Sequence, residues 1–246
     1  MHLDTQIKRI HKTLVITSFN RELYEQYAQG FWHTFPHDLL DLKVYSEETL
    51  AIKTTHLHLH CDFVERNSYR PVSSYKHDSV RFCYKVYSIA QALEDWALDD
   101  YDRLLWIDAD TRFHKHIDED WITHNLYKGD CLMSYAGRHN LHSECGLLLF
   151  NLEHPSTHSY IASVRKLYDT DMIYLLREWH DSFVFDQVRM QYEAKGNRFH
   201  NLAAHIDHKV PGSHILAYLY GDTLDHMKGK RKQRGHSKEQ QNHEKP

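Results

Sequence analysis

The segment Arg103-Leu-Leu-Trp-Ile-Asp-Ala-Asp110 constrains this chain more than any other. Four consecutive apolar residues closing on two carboxylates read as a buried parallel strand that delivers acids at its C-terminal end. In open α/β sheets that end is where ligands bind. The flanking sequence supports such a sheet. Thr13 to Thr17 is a β-branched run passing into the polar turn Ser18-Phe19-Asn20. Leu23, Tyr27 and Phe31 then recur at fourfold spacing in a helix over 21–35 that Pro36 stops, and Asp41 to Ser46 is the next strand. The opening is therefore β–α–β.

Further along, Val80, Tyr84, Tyr87, Ile89 and Leu93 predict a long helix from Asp78 to Ala97. Asp130 to Tyr135 and Cys145 to Asn151 read as strands, roughly 157–178 and 181–195 as helices, and the C-terminal third as irregular. Glu65 to His77 reads as a flexible loop. Neither an internal repeat nor a linker interrupts the pattern. The expected fold class is α/β, a Rossmann-like mixed central sheet flanked by helices. The expected division is one domain over 1–222 and a basic segment over 223–246 that closes over the site.

Composition removes several alternatives. In 246 residues, 41% hydrophobic and 26% charged content supports a packed core and excludes wholesale disorder. No apolar run approaches the roughly 18 residues of a membrane span, and the first twelve residues carry no apolar signal core. These features predict a soluble, cytoplasmic protein. Cys61, Cys83, Cys131 and Cys145 form no C-x-x-C pair, which argues against a zinc ribbon or a disulfide framework. They read as small buried hydrophobes in a reducing compartment. The net charge of −4 divides into +5 from Lys228 onward and −9 before it. A basic tail on an acidic body suits either an anionic partner or a solvated, frayed terminus.

Thr55-His-Leu-His-Leu-His-Cys-Asp-Phe63 alternates strictly, placing His56, His58 and His60 on one strand face. Three aligned imidazoles suit a metal, and equally a half-buried strand whose polar face meets water. The carboxylates of Asp108 and Asp110, if they share a face, suit a hard divalent cation that keeps positions open for phosphate oxygens. Asp pairs also cap helices and start turns. A second feature lies 116 positions after Asp110: His226-Met-Lys-Gly229-Lys-Arg-Lys232. It combines an imidazole ligand, a glycine that lets backbone approach an anion, and a lysine point charge. As a bare pattern it is also what an exposed basic tail would show.

Taken together, D-x-D after an apolar strand and a distant H-x-x-G-x-x-K resemble the metal-dependent glycosyltransferases of the GT-A fold. The nearest likeness is to the family of glycogenin and the lipopolysaccharide galactosyltransferases (family 8). Ser79-Val-Arg81-Phe-Cys-Tyr-Lys85, Glu144-Cys-Gly146-Leu-Leu-Leu-Phe-Asn151 and Asp186-Gln187 resemble further motifs of that family, in the same order. The chain departs from it where Gln233-Arg234 stands in place of Pro-Trp, where Glu144 stands in place of Asn, and in Glu178-Trp-His-Asp-Ser182, which is more like the W-x-D stretches of other GT-A enzymes. The compact size and the closing basic segment also resemble small bacteriophage glycosyltransferases.

The resemblance implies a Mn²⁺ or Mg²⁺ ion on Asp108, Asp110 and His226, and a nucleotide-sugar donor of the UDP class. Gly229 and Lys232 would contact its diphosphate. Thr17, Phe19 and Asn20 would line base and ribose, with Phe19 either stacking or in the core. Arg81 and Lys85, four apart on one helix face, would reach the donor or simply face solvent. Asp181, Glu144 and Gln187 are the candidates near the reacting sugar, and a helix cap or structural ion pair explains the two carboxylates equally well. Trp179, His180 and Trp106 are candidate sugar-facing rings, Trp106 being also a core position. The family retains anomeric configuration, in which case the leaving phosphate itself assists a front-side attack; inversion would instead require a carboxylate base near the acceptor hydroxyl. A saccharide, a small metabolite, or a hydroxymethylated pyrimidine in DNA fits as acceptor, the last because the tail can contact phosphates. Two rival readings remain: a metal-dependent nucleotidyltransferase or phosphohydrolase, which would need a Gly-rich phosphate loop or further clustered acids, and a non-catalytic nucleic-acid binder driven by the tail.

Overall fold

The computed structural model describes residues 12–210 and 214–227. Its strands are β1 (Thr13–Ser18), β2 (Asp41–Ser46), β3 (Thr55–His56), β4 (Arg103–Ile107), β5 (Thr111–Phe113), β6 (Met133–Arg138), β7 (Leu141–Asn151), β8 (His200–Asn201) and β9 (Leu224–His226). The main helices are α1 (Arg21–Leu23), α2 (Gln29–Thr34), α3 (Cys61–Asn67), α4 (Ser79–Glu94), α5 (Glu119–Asn125), α6 (Thr157–Asp169), α7 (Asp181–Ala194) and α8 (Ile215–Tyr220). A π-helical turn, Tyr24–Ala28, joins α1 to α2.

Seven strands form one sheet in the order β3-β2-β1-β4-β7-β6-β8, and β5 pairs with β9 in a separate ribbon. The pairs β3–β2, β2–β1, β1–β4 and β6–β8 are parallel, while β7 runs antiparallel to both β4 and β6. The apolar runs of the central strands follow from burial on both faces. Leu14, Ile16, Leu104, Trp106, Leu148 and Phe150 join the core on the side of α4, α6 and α7. Their neighbours Val15, Leu105, Ile107, Leu147 and Leu149 join the opposite core, which includes Phe31, Ile122 and Leu216 from α2, α5 and α8.

From β1 the chain builds outward through β2 and β3, then crosses to lay β4 on the other side of β1. The strand order thus reverses between β1 and β4, the position where an α/β sheet opens a ligand crevice. The loop after β1 and the turn after β4 meet there, with Phe19 and Ala109 packed in one small apolar cluster.

Several local expectations need correction. The alternating segment is a strand only over Thr55–His56 and becomes helix at Cys61. Gln91 of α4 explains the early end: its Oε1 accepts from His58 N at 3.0 Å and its Nε2 donates to His56 O at 2.7 Å. These bonds satisfy edge backbone groups that a further strand would otherwise pair. His56 and His58 are exposed while His60 is buried against Tyr84, so the three imidazoles share no strand face. Cys61 is exposed rather than buried, and all four cysteines are free. The helix expected over 157–178 ends at Asp169, where Asp171 takes a left-handed φ of 56° before a 3₁₀ turn. Residues 223–227 pack into the main body, with Leu224, Asp225 and His226 buried on β9. No described helix is long and apolar enough to cross a membrane.

Candidate active site

Asp108 and Asp110 lie just beyond β4, in the turn that leads to β5, and not on alternate positions of one strand face. The turn is closed by Thr111 N donating to Asp108 O at 3.0 Å, and Asp108 N donates to Gly146 O on β7 at 2.8 Å. The ribbon brings in the third member. Thr111 pairs with His226, and Met227 N donates to Asp110 O at 2.8 Å. His226 Nε2 thereby stands 2.9 Å from Asp110 Oδ1 and 3.5 Å from Asp108 Oδ2. Asp108, Asp110 and His226 each offer a ligand atom, all within 4.8 Å of one another. Two carboxylates with one imidazole form a mixed O/N donor set that could hold a divalent cation.

Asp108 is oriented from behind. Its Oδ1 accepts from Trp106 Nε1 at 2.7 Å and lies 2.9 Å from Lys85 Nζ, leaving Oδ2 toward His226. Trp106 therefore combines a core ring with a polar task, as buried tryptophans do when their N–H finds a partner. Lys85 is buried at 8% exposure. Its ammonium also reaches Asp181 Oδ2 at 2.5 Å and donates to Cys145 O at 2.8 Å. Burial opposes its charge, but the two carboxylates prevail and hold the ammonium well above its ordinary range. Asp181 opens α7 and accepts from Ser182 N at 2.8 Å.

On the far side of His226, Nδ1 stands 3.6 Å from Glu144 Oε1, which also accepts from Gly146 N at 3.0 Å. A carboxylate behind a ligating imidazole is the usual way its tautomer and ring orientation are fixed. Glu144 is itself buried beside Arg138, at 3.5 Å. Gly146 is required by close approach: a Cβ there would lie 2.4 Å from His226 Cε1 and 2.6 Å from Nδ1.

The remaining predicted residues fall at different depths. Thr17 is fully buried in β1, and its hydroxyl has no hydrogen-bond partner among the described residues. Phe19 is a core ring, 3% exposed and stacked on Tyr24 at 5.7 Å, so it offers no open face to a base. Asn20 caps α1, its Oδ1 accepting from Leu23 N at 2.9 Å. Arg81 is exposed on the first turn of α4, so the shared helix face spans both solvent and interior. Gln187 is half-buried on α7. Its neighbour Asp186 is occupied by Ser143, accepting from N at 2.9 Å and Oγ at 2.6 Å. Trp179 is half-buried and packs edge-on against Tyr174. Gly229 and Lys232 lie outside the described residues, as does the rest of the basic tail.

With this geometry established, comparison with known proteins is informative on the fold. No protein family and no curated protein matches the sequence. Among solved structures, the chain is similar to a glycosyltransferase involved in the glycosylation of the major capsid of PBCV-1. That likeness has 12% identity and a TM-score of 0.50, and covers 91% of this chain and 99% of that one. The chain has a GT-A fold. Mouse xyloside xylosyltransferase 1 matches at 16% identity over 77% of this chain and 84% of that one, with a TM-score of 0.45. The glycosyltransferase GlyE of Streptococcus pneumoniae TIGR4 matches at 12% identity over 77% and 45%, with a TM-score of 0.44.

Within this GT-A framework, some site residues escape sequence reasoning. Tyr27 looks like one member of an apolar helical stripe. Burial, then the charges of Asp110 and Asp108, push its phenol well above the ordinary range. It belongs to the π turn, a feature frequent at functional sites, and only the backbone hydrogen bonds reveal it. A cleft of about 270 Å³ is lined by Tyr135, Arg138, Ser143, Asp186, Arg189 and Asn201 among others, and Arg138 links its wall to Glu144 at 3.5 Å.

Proposed function

We propose that this protein is a divalent-metal-dependent glycosyltransferase that moves a sugar from a nucleoside diphosphate, UDP first among them, to an acceptor hydroxyl. The observation carrying this reading is the convergence of Asp108, Asp110 and His226 at the switch point of a GT-A sheet. In the transfer, the bond from the anomeric carbon to the diphosphate oxygen breaks, a bond to the acceptor oxygen forms, and the acceptor proton departs. Mn²⁺ held by the three residues would neutralise the charge gathering on the leaving diphosphate.

The chain's own groups prepare that site. Trp106 and Lys85 fix Asp108, Asp181 anchors Lys85, and Glu144 positions His226. Gly229 and Lys232 are proposed to meet the diphosphate as the C-terminal segment closes. Asp181 and Glu144 are both engaged by cations or backbone N–H groups. That supports proton transfer to the leaving phosphate, hence retention of configuration, and gives these carboxylates a positioning role. Gln187 is assigned to sugar hydroxyls, and the cleft beside Arg138 and Asn201 to the acceptor.

The test is a thermal-shift panel of nucleoside diphosphates with and without Mn²⁺, on wild type and Asp110→Ala. Stabilisation by UDP that requires both Mn²⁺ and Asp110 is expected. Acceptors are then screened with saccharides and hydroxymethylated DNA as separate arms. Equal stabilisation of the Asp110→Ala protein, or none with any nucleotide, refutes the assignment.

A further inference from the structure

A second group of ligating side chains lies on the other side of Asp181. His142 stands near the start of β7, while Glu178 and His180 lie in the segment that leads into α7. Each offers one ligand atom, and these atoms lie within 4.8 Å of one another. Glu178 and His180 are buried and His142 is half-buried.

His180 Nε2 and Glu178 Oε2 are hydrogen-bonded at 2.9 Å, and the spacings within the group also suit ligands of a shared ion. Zinc bonds of about 2.0–2.1 Å in a tetrahedron place ligand atoms roughly 3.3 Å apart. Glu178 Oε2 is 2.9 Å from His180 Nε2 and 3.6 Å from His142 Nε2, which brackets that spacing. The His142 side chain makes no direct hydrogen bond among the described residues. Its Nε2 faces Glu178 at 3.6 Å and its Nδ1 faces Asp186 Oδ2 at 3.7 Å. His180 repeats the arrangement, with Nδ1 4.0 Å from Asp181 Oδ1. Both rings thus turn one nitrogen to the shared oxygen and the other toward a carboxylate 3.7–4.0 Å away, beyond direct hydrogen-bond distance.

The two oxygens of Glu178 divide the work. Oε1 meets Lys76 at 3.1 Å and Arg177 at 3.6 Å, leaving Oε2 for the imidazoles. Asp186 is held by Ser143 and by Arg189, at 3.2 Å. Phe82 and Phe183 close around His180, and Phe183 packs edge-on against His142 at 5.0 Å.

We infer that His142, Glu178 and His180 form a second divalent-cation site, of the zinc class, separate from the Asp108–Asp110–His226 site. Two imidazoles and one carboxylate select zinc over magnesium or calcium and leave a fourth position for water. A cation here clips the segment before α7 onto β7 and fixes the start of α7, where Asp181 meets Lys85.

The experiment is Zn²⁺ titration of the full-length protein against a chromophoric chelator. The background is Asp110→Ala/His226→Ala, which removes ligands of the first site. That protein is expected to bind Zn²⁺ and to melt at higher temperature with it. Adding His142→Asn or Glu178→Gln is expected to weaken this binding at least about tenfold, with Co²⁺ losing the intense visible bands of a four-coordinate site. Far-UV circular dichroism and a cooperative melt confirm folding, and His142→Asn, at the more exposed ligand, serves if Glu178→Gln does not fold. Unchanged affinity in the folded His142→Asn variant, or no Zn²⁺ uptake by the background protein, overturns the inference. Absence of any Mn²⁺-dependent UDP stabilisation, or its persistence in Asp110→Ala, would refute the transferase reading and leave this result untouched, so the two readings fail separately.

Discussion

Gly146 matters for the atom it lacks. His226 occupies the space where a side chain would begin, with a Cβ-to-Cε1 distance of 2.4 Å if one were added. Gly146→Ala is therefore expected to push the imidazole away from Asp108 and Asp110. Overpacking of this kind costs about 1–3 kcal/mol, so the protein remains folded. Mn²⁺ affinity, read by isothermal titration, is expected to fall at least about tenfold, the scale of lost ligand orientation. An alanine variant that binds Mn²⁺ as tightly as wild type would show that His226 is not held by this contact. In the sequence Gly146 is legible only as part of a motif resemblance. Its partner lies 80 positions away, and spacing cannot say which glycine faces which ring. Phe19 shows the converse difficulty: a ring at the end of a strand is equally apt for a base or for the core, and here Tyr24 covers it.

At the level of elements, Lys85 ties α4 to the turn after β4 and to the first residue of α7. Removing one partner of a buried ion pair strands the other, at about 3–5 kcal/mol. Lys85→Met is expected to destabilise on that scale in chemical denaturation. Lys85→Met/Asp181→Asn is expected to recover part of the loss, with a coupling of about 0.5–3 kcal/mol. Additive losses would mean that the two residues do not support each other. The i, i+4 relation of Arg81 and Lys85 is plain in the sequence, whereas their depths are not. What packs over a helix decides whether one of its faces meets solvent at Arg81 and a sheet at Lys85. The shortened β3 has a similar cause, since Gln91 comes from a helix 33 residues beyond His58 and takes bonds that local alternation assigned to a longer strand.

Over the whole molecule, the βαβ opening, the buried β4 and its acidic C-terminal end were readable because periodicity and burial are local signals. The reversal of strand order between β1 and β4 was not, nor was the β5–β9 ribbon, whose three-residue strands carry little pattern of their own. That ribbon is testable by truncation. Ending the chain after Gly221 removes β9, so Mn²⁺-dependent donor turnover is expected to vanish and the melting temperature to fall. Ending it after Met227 keeps the three candidate ligands and is expected to retain Mn²⁺ binding while weakening UDP. Turnover surviving the shorter truncation product would place the metal elsewhere.

The same ribbon bears on how the protein is made. Asp110 leaves the ribosome 116 residues before His226, an interval of roughly 6–23 s at ordinary elongation rates. On the metal-dependent reading proposed above, a nascent chain at that stage would present the two carboxylates without their imidazole, a loose site that exchanges ions freely. Tight capture would await the strand that closes the ribbon. Loading with metal would thus report that synthesis has passed His226, and a chain stalled earlier would carry an acidic turn with no nitrogen ligand to complete it.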